Sequence, residues 1–197
     1  MSLLYALNKN NIVYIGVEMS NIIAGQFTFE NCLSNYKLRI LDNKVIIGII
    51  GNKKEAQVIL ANKEIFTLDQ NHQLTKKHLV LEVLPKTFNL LKDNELLIKR
   101  DDEPYYMNST IVVAYQNKLY EIDSYFNVIS YQRYLAAGKD SKWGLGVLTN
   151  NENMKPENTL LKALEISSKY ATALGNQYLL VNTNDLKYQL FNGGKRC

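Results

Sequence analysis

Apolar residues at the head of the chain form two blocks, Leu3-Leu4-Tyr5-Ala6-Leu7 and Ile12-Val13-Tyr14-Ile15-Gly16-Val17, parted by Asn8-Lys9-Asn10-Asn11. Asparagine tolerates positive φ, so the polar run predicts a hairpin turn between two strands. Folded about Asn10-Asn11, the hairpin sets Leu3 opposite Glu18, whereas a four-residue loop sets Ser2 opposite Val17. Either register brings Ser2 and Glu18 to the same end. Strand-type sequence begins almost at once, without a basic segment, apolar core and small-residue cleavage site before it, so no leader is expected.

The pattern stays strand-like to residue 50. Asn21 to Phe29 reads as a short extended pair. Tyr36-Lys37-Leu38-Arg39-Ile40 alternates strictly, with Lys37 and Arg39 on one face. Lys44 to Ile50 is almost continuously apolar, as for a strand covered on both faces, and Gly48 and Gly51 permit close backbone approach or a bulge. Helical period then takes over. Asn52 suits the cap of a helix to Ala61, and Thr75 the cap of another carrying Leu79, Val83, Leu90 and Leu91. Pro85 should kink or divide that second helix.

After a loop at Asp101 to Pro104, strands return at Thr110 to Tyr115 and Leu119 to Ile122, with a turn at Gln116-Asn117. One further strand, Phe126 to Tyr131, leads to Gly138. A short helix from Ser141 to Leu148 packs Trp143, Val147 and Leu148. The clearest helix runs from Pro156, suited to a first helical position, to Leu174, with Gly175 as its stop. Gln177 to Asn182 is a last strand. The order is strands, two helices, strands, two helices, strand. Its compact solution is α+β, a four-layer αββα sandwich with two mostly antiparallel sheets between helix layers. No repeat or linker divides the chain, so 1–197 reads as a single domain, with 183–197 as a C-terminal extension or tail.

Composition narrows the function. Hydrophobic residues are 46% and charged residues 21%, ordinary for a globular domain. The net charge of +4 is spread along the chain, and Lys99-Arg100 is followed by Asp101-Asp102-Glu103, so no nucleic-acid stripe is present. No apolar run is long enough to span a bilayer, and no membrane role is expected. Cys32 and Cys197 stand far apart without metal-ligand spacing, which fits a cytoplasmic protein without a disulfide framework. His72 and His78 lie in a polar region with no Ser or Asp arranged around them, so a Ser-His-Asp triad has no support. No cofactor or metal is called for.

If Met1 is removed, Ser2 carries a free α-amine beside a carboxylate at a strand end. That arrangement is a start for an N-terminal nucleophile hydrolase. The plain alternative is an ordinary strand-end Glu18 in water and a Lys37 solvated beside Arg39.

Several separated stretches resemble the proteasome β-subunit family, closest to its bacterial two-ring homologue. Ser2 falls where that family has its N-terminal threonine, counting back from Val13-Tyr14-Ile15-Gly16-Val17-Glu18. Tyr36 to Ile40 looks like the strand bearing the catalytic lysine, which maps onto Lys37. Lys44 to Gly51 looks like the strand whose glycine supplies the oxyanion donor, here Gly48. Tyr134 to Gly138 with Trp143-Gly144-Leu145-Gly146, then Lys162 to Glu165 and Tyr178 to Val181, match later parts.

The resemblance implies peptide or amide hydrolysis with four roles. Ser2 attacks, and its own amine, with an unperturbed pKa of about 7.7–8.0, takes the proton. Lys37 lowers that pKa and stabilises developing charge, and Glu18 holds Lys37. The Gly48 N–H donates to the oxyanion, a contact worth roughly 3–4 kcal/mol in other enzymes. A homo-oligomer, peptide or small-amide substrates and an ATPase partner are implied with it.

Three departures weigh the other way. Glutamate for aspartate moves the carboxylate by about 1.5 Å. The family's glycine-serine-glycine turn here reads Gly138-Lys139-Asp140, with Ser141 two residues on as a helix cap. Lys169 and Thr172 stand where a late acidic residue is expected. The alternative is a catalytically inactive relative serving as an oligomeric scaffold or binding module.

Overall fold

The structure, a computed structural model, describes residues 3–23, 26–29, 37–170, 175–193 and 195–196. Ser2, Cys32, Tyr36, residues 171–174 and Cys197 lie outside the described residues.

Strands β1 (Leu3–Lys9) and β2 (Ile12–Glu18) form the expected hairpin. Lys9 pairs with Ile12 and Leu4 with Val17, so the turn is the two-residue Asn10-Asn11. Both asparagines have positive φ, 55° and 62°, the geometry that matches strand twist. A second hairpin joins β3 (Ser20–Ile23) to β4 (Gln26–Phe29). Then come β5 (Leu38–Ile40) and β6 (Ile46–Ile50), followed by α1 (Lys53–Ala61). Asn52 caps α1, its side chain accepting from the Lys54 and Glu55 N–H groups.

The helical segment that Pro85 was expected to kink or divide runs from Lys76 to Asp93 and changes type just before the proline. A π turn at Leu79–Val83 separates α2 (Lys76–His78) from α3 (Leu84–Asp93), and the Leu84 N–H reaches the Leu79 carbonyl. The wider turn sits just before the residue without an N–H, where a regular ladder would be interrupted.

Strands β7 (Thr110–Tyr115) and β8 (Lys118–Ile122) follow as expected. The next segment differs. It forms two strands, β9 (Val128–Tyr131) and β10 (Tyr134–Gly138), in different sheets. Helices α4 (Lys142–Asn150) and α5 (Pro156–Tyr170) precede β11 (Gln177–Asn182). Part of the expected tail is ordered structure. Strand β12 (Gln189–Asn192) pairs antiparallel with β11, and β13 (Lys195–Arg196) pairs with β12.

One sheet has the order β10-β1-β2-β11-β12-β13 and the other β5-β6-β7-β8-β9, every pairing antiparallel. Three apolar layers follow from strand alternation. Between the sheets, Leu4, Ala6, Ile15 and Val17 meet Leu38, Ile46 and Val112. Outside the first sheet, Leu3, Tyr5 and Leu180 meet Leu148, Leu160 and Leu164 of α4 and α5. Outside the second, Ile47, Ile49 and Val113 meet Ile59, Leu79 and Leu91. This is the α+β four-layer sandwich. Of the α4 residues expected in the core, Val147 and Leu148 are buried, but Trp143 is exposed and its ring lies 5.2 Å from that of Tyr170.

Gly48 lets the two sheets approach. A Cβ there would lie 2.3 Å from Leu4 Cδ1.

Candidate active site

The hairpin register closes β1 and β2 at one end, with Leu4 opposite Val17 and the last residue, Glu18, pairing with Tyr178 across β11. On the other side of β1, Leu3 pairs with Gly138. The ends of β1, β2, β10 and β11 therefore meet. Ser2 precedes Leu3 in sequence and is not described.

Lys37 comes to this end from the second sheet. It stands just before β5, and its carbonyl accepts from the Ile49 N–H at 2.8 Å. Its side chain is 1% exposed, which departs from a solvated lysine beside Arg39. The ammonium donates to the Glu18 carbonyl at 2.9 Å and lies 3.4 Å from Glu18 Oε2. Glu18 is fully buried, and its Oε1 accepts from the Gly175 N–H at 3.0 Å. Both carboxylate oxygens are thus held, one by a cation and one by the backbone just before β11. A buried ion pair needs such added hydrogen bonds to offset desolvation.

Gly48 is placed differently from these two. It opposes Leu38 in β5 and Val112 in β7. In an antiparallel strand, successive N–H groups point to alternate neighbours. The Ile49 N–H goes to the Lys37 carbonyl, so the Gly48 N–H turns towards β7.

The residue after the Gly138-Lys139-Asp140 turn is held by a side chain of β1. The Tyr5 hydroxyl donates to the Ser141 carbonyl at 3.1 Å and shares a 2.6 Å hydrogen bond with Ser167 Oγ. Burial pushes the Tyr5 pKa up, and the Ser167 bond only partly opposes it. Gly144 makes room for this phenol, since a Cβ there would lie 2.5 Å from the Tyr5 hydroxyl. The Ser141 side chain makes no cap bond to α4.

A cleft of about 430 Å³ opens where the two sheets end, lined by Gly51, Asn108, Ser109, Tyr125, Gly138 and Lys139. Gly138 is the β1 partner of Leu3, so the cleft borders the start of β1. Sequence reasoning read Gly175 only as a helix stop and did not single out Tyr5 or Asn108. A backbone donor or a buried phenol leaves no local motif.

No protein-family model matches the chain, and neither does any curated protein. Solved structures do. Thiobacillus denitrificans BPH matches 94% of this chain and 98% of its own, at 15% identity and a TM-score of 0.72. Anbu from Hyphomicrobium sp. strain MC1 matches 98% of this chain and 88% of its own, at 12% identity and a TM-score of 0.71. The fold is the proteasome-type sandwich. Eukaryotic HslV from Trypanosoma brucei shares it over 91% of this chain and 98% of its own, at 15% identity and a TM-score of 0.61. At such identities the likeness is one of fold. A second structure of the Thiobacillus protein holds epoxomicin.

Among the described residues of this chain, no three His, Cys, Asp or Glu side chains gather as a metal site. No described helix is long and apolar enough to cross a membrane.

Proposed function

We propose that this protein is a proteasome-like N-terminal nucleophile hydrolase that cleaves peptide or amide bonds. Ser2 is the nucleophile once Met1 is removed, and its own α-amine is the base. Lys37 keeps that amine deprotonated near neutral pH and stabilises charge developing in attack, and Glu18 orients Lys37. What supports the reading is the buried Lys37–Glu18 pair at the strand ends beside the start of β1. A hydrophobic core gains nothing from such a pair that a leucine would not give, so a chemical use is the simplest reason for it. The oxyanion donor is left unassigned, because the Gly48 N–H faces β7.

A peptide epoxyketone is the direct probe, since the Thiobacillus neighbour is seen with epoxomicin. Mass spectrometry of natively processed protein should find one adduct, on Ser2, and none on Ser2→Ala. An intact Met1 in the native protein, or no adduct on processed protein, sinks the catalytic reading. The scaffold reading then takes its place, favoured by the Gly138-Lys139-Asp140 turn, which carries no serine between its first and third residues.

A homo-oligomer is part of the same proposal. Exposed Leu81 on the π turn, Trp143 on α4 and Tyr170 on α5 are the apolar side chains such contacts would cover. Sedimentation should give a species several times the 22.6 kDa chain at micromolar concentration. A monomer alone would refute it.

A further inference from the structure

Glu55 is a buried ionisable group that the proposed chemistry leaves unused. It lies in the first turn of α1 and is fully buried. Asparagine caps followed three residues later by glutamate often send the carboxylate back to the cap's own N–H. Here the Asn52 N–H donates instead to Ser109 Oγ at 3.1 Å. Glu55 turns to the segment entering β7, and its Oε1 accepts from the Asn108 N–H at 3.0 Å. Oε2 has no hydrogen-bond partner among the described residues.

The groups that act on this carboxyl are the Ser109 hydroxyl and the Asn108 N–H. On its own helix, Lys53 is half-buried and Lys54 exposed, and neither forms an ion pair with it among the described residues. Glu18, equally buried, has a lysine. A buried anion with so few donors is costly, and a neutral acid is much less so. Burial accordingly pushes the Glu55 carboxyl above the ordinary range, and its two hydrogen bonds pull back only in part.

What Glu55 fastens lines the cleft. Gly51 stands at φ +123°, and a Cβ there would lie 2.1 Å from the Asn108 carbonyl oxygen, so the two backbones touch. Gly51, Asn108 and Ser109 all line the cleft. We propose that Glu55 is a positioning residue for the cleft: as a neutral carboxyl it holds the Asn108–Ser109 wall to the start of α1, and its ionisation releases that wall. The inference rests on reading the cleft as the substrate site, but its test does not.

The sign follows from proton binding. The folded chain keeps the Glu55 proton at pH values where the unfolded chain has lost it. Stability therefore falls as pH rises from the ordinary value of 4.5 up to the raised folded value, then levels. One such group changes the folding constant by at most about tenfold per pH unit.

Glu55→Gln keeps the shape and an acceptor for the Asn108 N–H. Two readouts compare it with the unaltered protein: the unfolding midpoint across pH 4.5–8, and hydrogen exchange at the Asn108 N–H corrected for its intrinsic pH dependence. Wild type should lose midpoint and Asn108 protection as pH rises, relative to a variant whose protection stays constant. The protection loss should approach, and not exceed, about tenfold per pH unit. A variant with the same pH profile as wild type overturns the proposal. So does one that already lacks Asn108 protection at pH 5, or that fails to fold, because a neutral isostere should fit. Absence of a Ser2 adduct would leave both readouts standing, so the two readings fail separately.

Discussion

Glu18 and Glu55 are both carboxyls with no solvent exposure, one ending a strand and the other starting a helix. Each has one oxygen held by a backbone N–H at 3.0 Å, from Gly175 and Asn108 respectively. They differ in the second oxygen. Glu18 Oε2 faces the Lys37 ammonium, and Glu55 Oε2 faces no partner among the described residues. The same burial thus has two solutions, an ion pair in one place and a retained proton in the other. The partner, not the depth, decides which.

The sharpest way to break this comparison is to give Glu18 the surroundings of Glu55. Lys37→Ala removes the cation and leaves a buried carboxylate. That should cost about 3–5 kcal/mol of stability, read as a lower midpoint in urea at pH 7. The burial of Lys37, rather than its place near a strand end, makes that loss large. The double change Glu18→Gln with Lys37→Met should recover most of the loss, because a neutral, well-filled site replaces the pair. If Lys37→Ala alone is as stable as wild type, the pair is not a coupled unit. The double variant, not Lys37→Ala, is then the proper inactive control for the epoxyketone experiment, since its lack of adduct cannot be blamed on unfolding.

Sequence carried much of the frame that makes this comparison possible. Asn8 to Asn11 marked the hairpin turn while leaving two registers open, and Asn52, Thr75 and Pro156 marked helix starts, because turns and caps need particular side chains locally. The change of sheet between β9 and β10 was hidden. Tyr131-Gln132-Arg133-Tyr134 contains no glycine, proline or asparagine to announce it. Strand β12 was hidden because Gln189-Leu190-Phe191-Asn192 is short and sits among polar residues near the end of the chain. At the site, the hairpin pattern pointed to the glutamate and resemblance to the lysine, but neither showed their burial. Alternation put Lys37 with Arg39 and could not reveal that another sheet closes over it. Likewise Asn52 read only as the cap of a helix, and the Asn108–Ser109 segment, more than 50 residues on, is what buries Glu55 in its first turn.

A smaller change sharpens the comparison at that helix start. Asn52 and Glu55 secure the same end of α1 by different means. The Asn52 side chain accepts from the Lys54 N–H at 2.8 Å and the Glu55 N–H at 3.4 Å, bonds internal to the helix. Glu55 bonds outward to Asn108. Asn52→Ala should therefore cost about 1 kcal/mol, the usual loss of a cap. The loss should be nearly the same at pH 5 and pH 8, because an amide does not titrate there. The steeper pH dependence assigned to Glu55 should survive in this variant, as the carboxyl and its Asn108 donor are untouched. Unfolding curves at the two pH values read both quantities. A cap variant that loses the pH dependence as well would mean that helix fraying lets water reach Glu55. The cap and the carboxyl would then be one device, and the neutral carboxyl could not be credited with holding the cleft wall by itself.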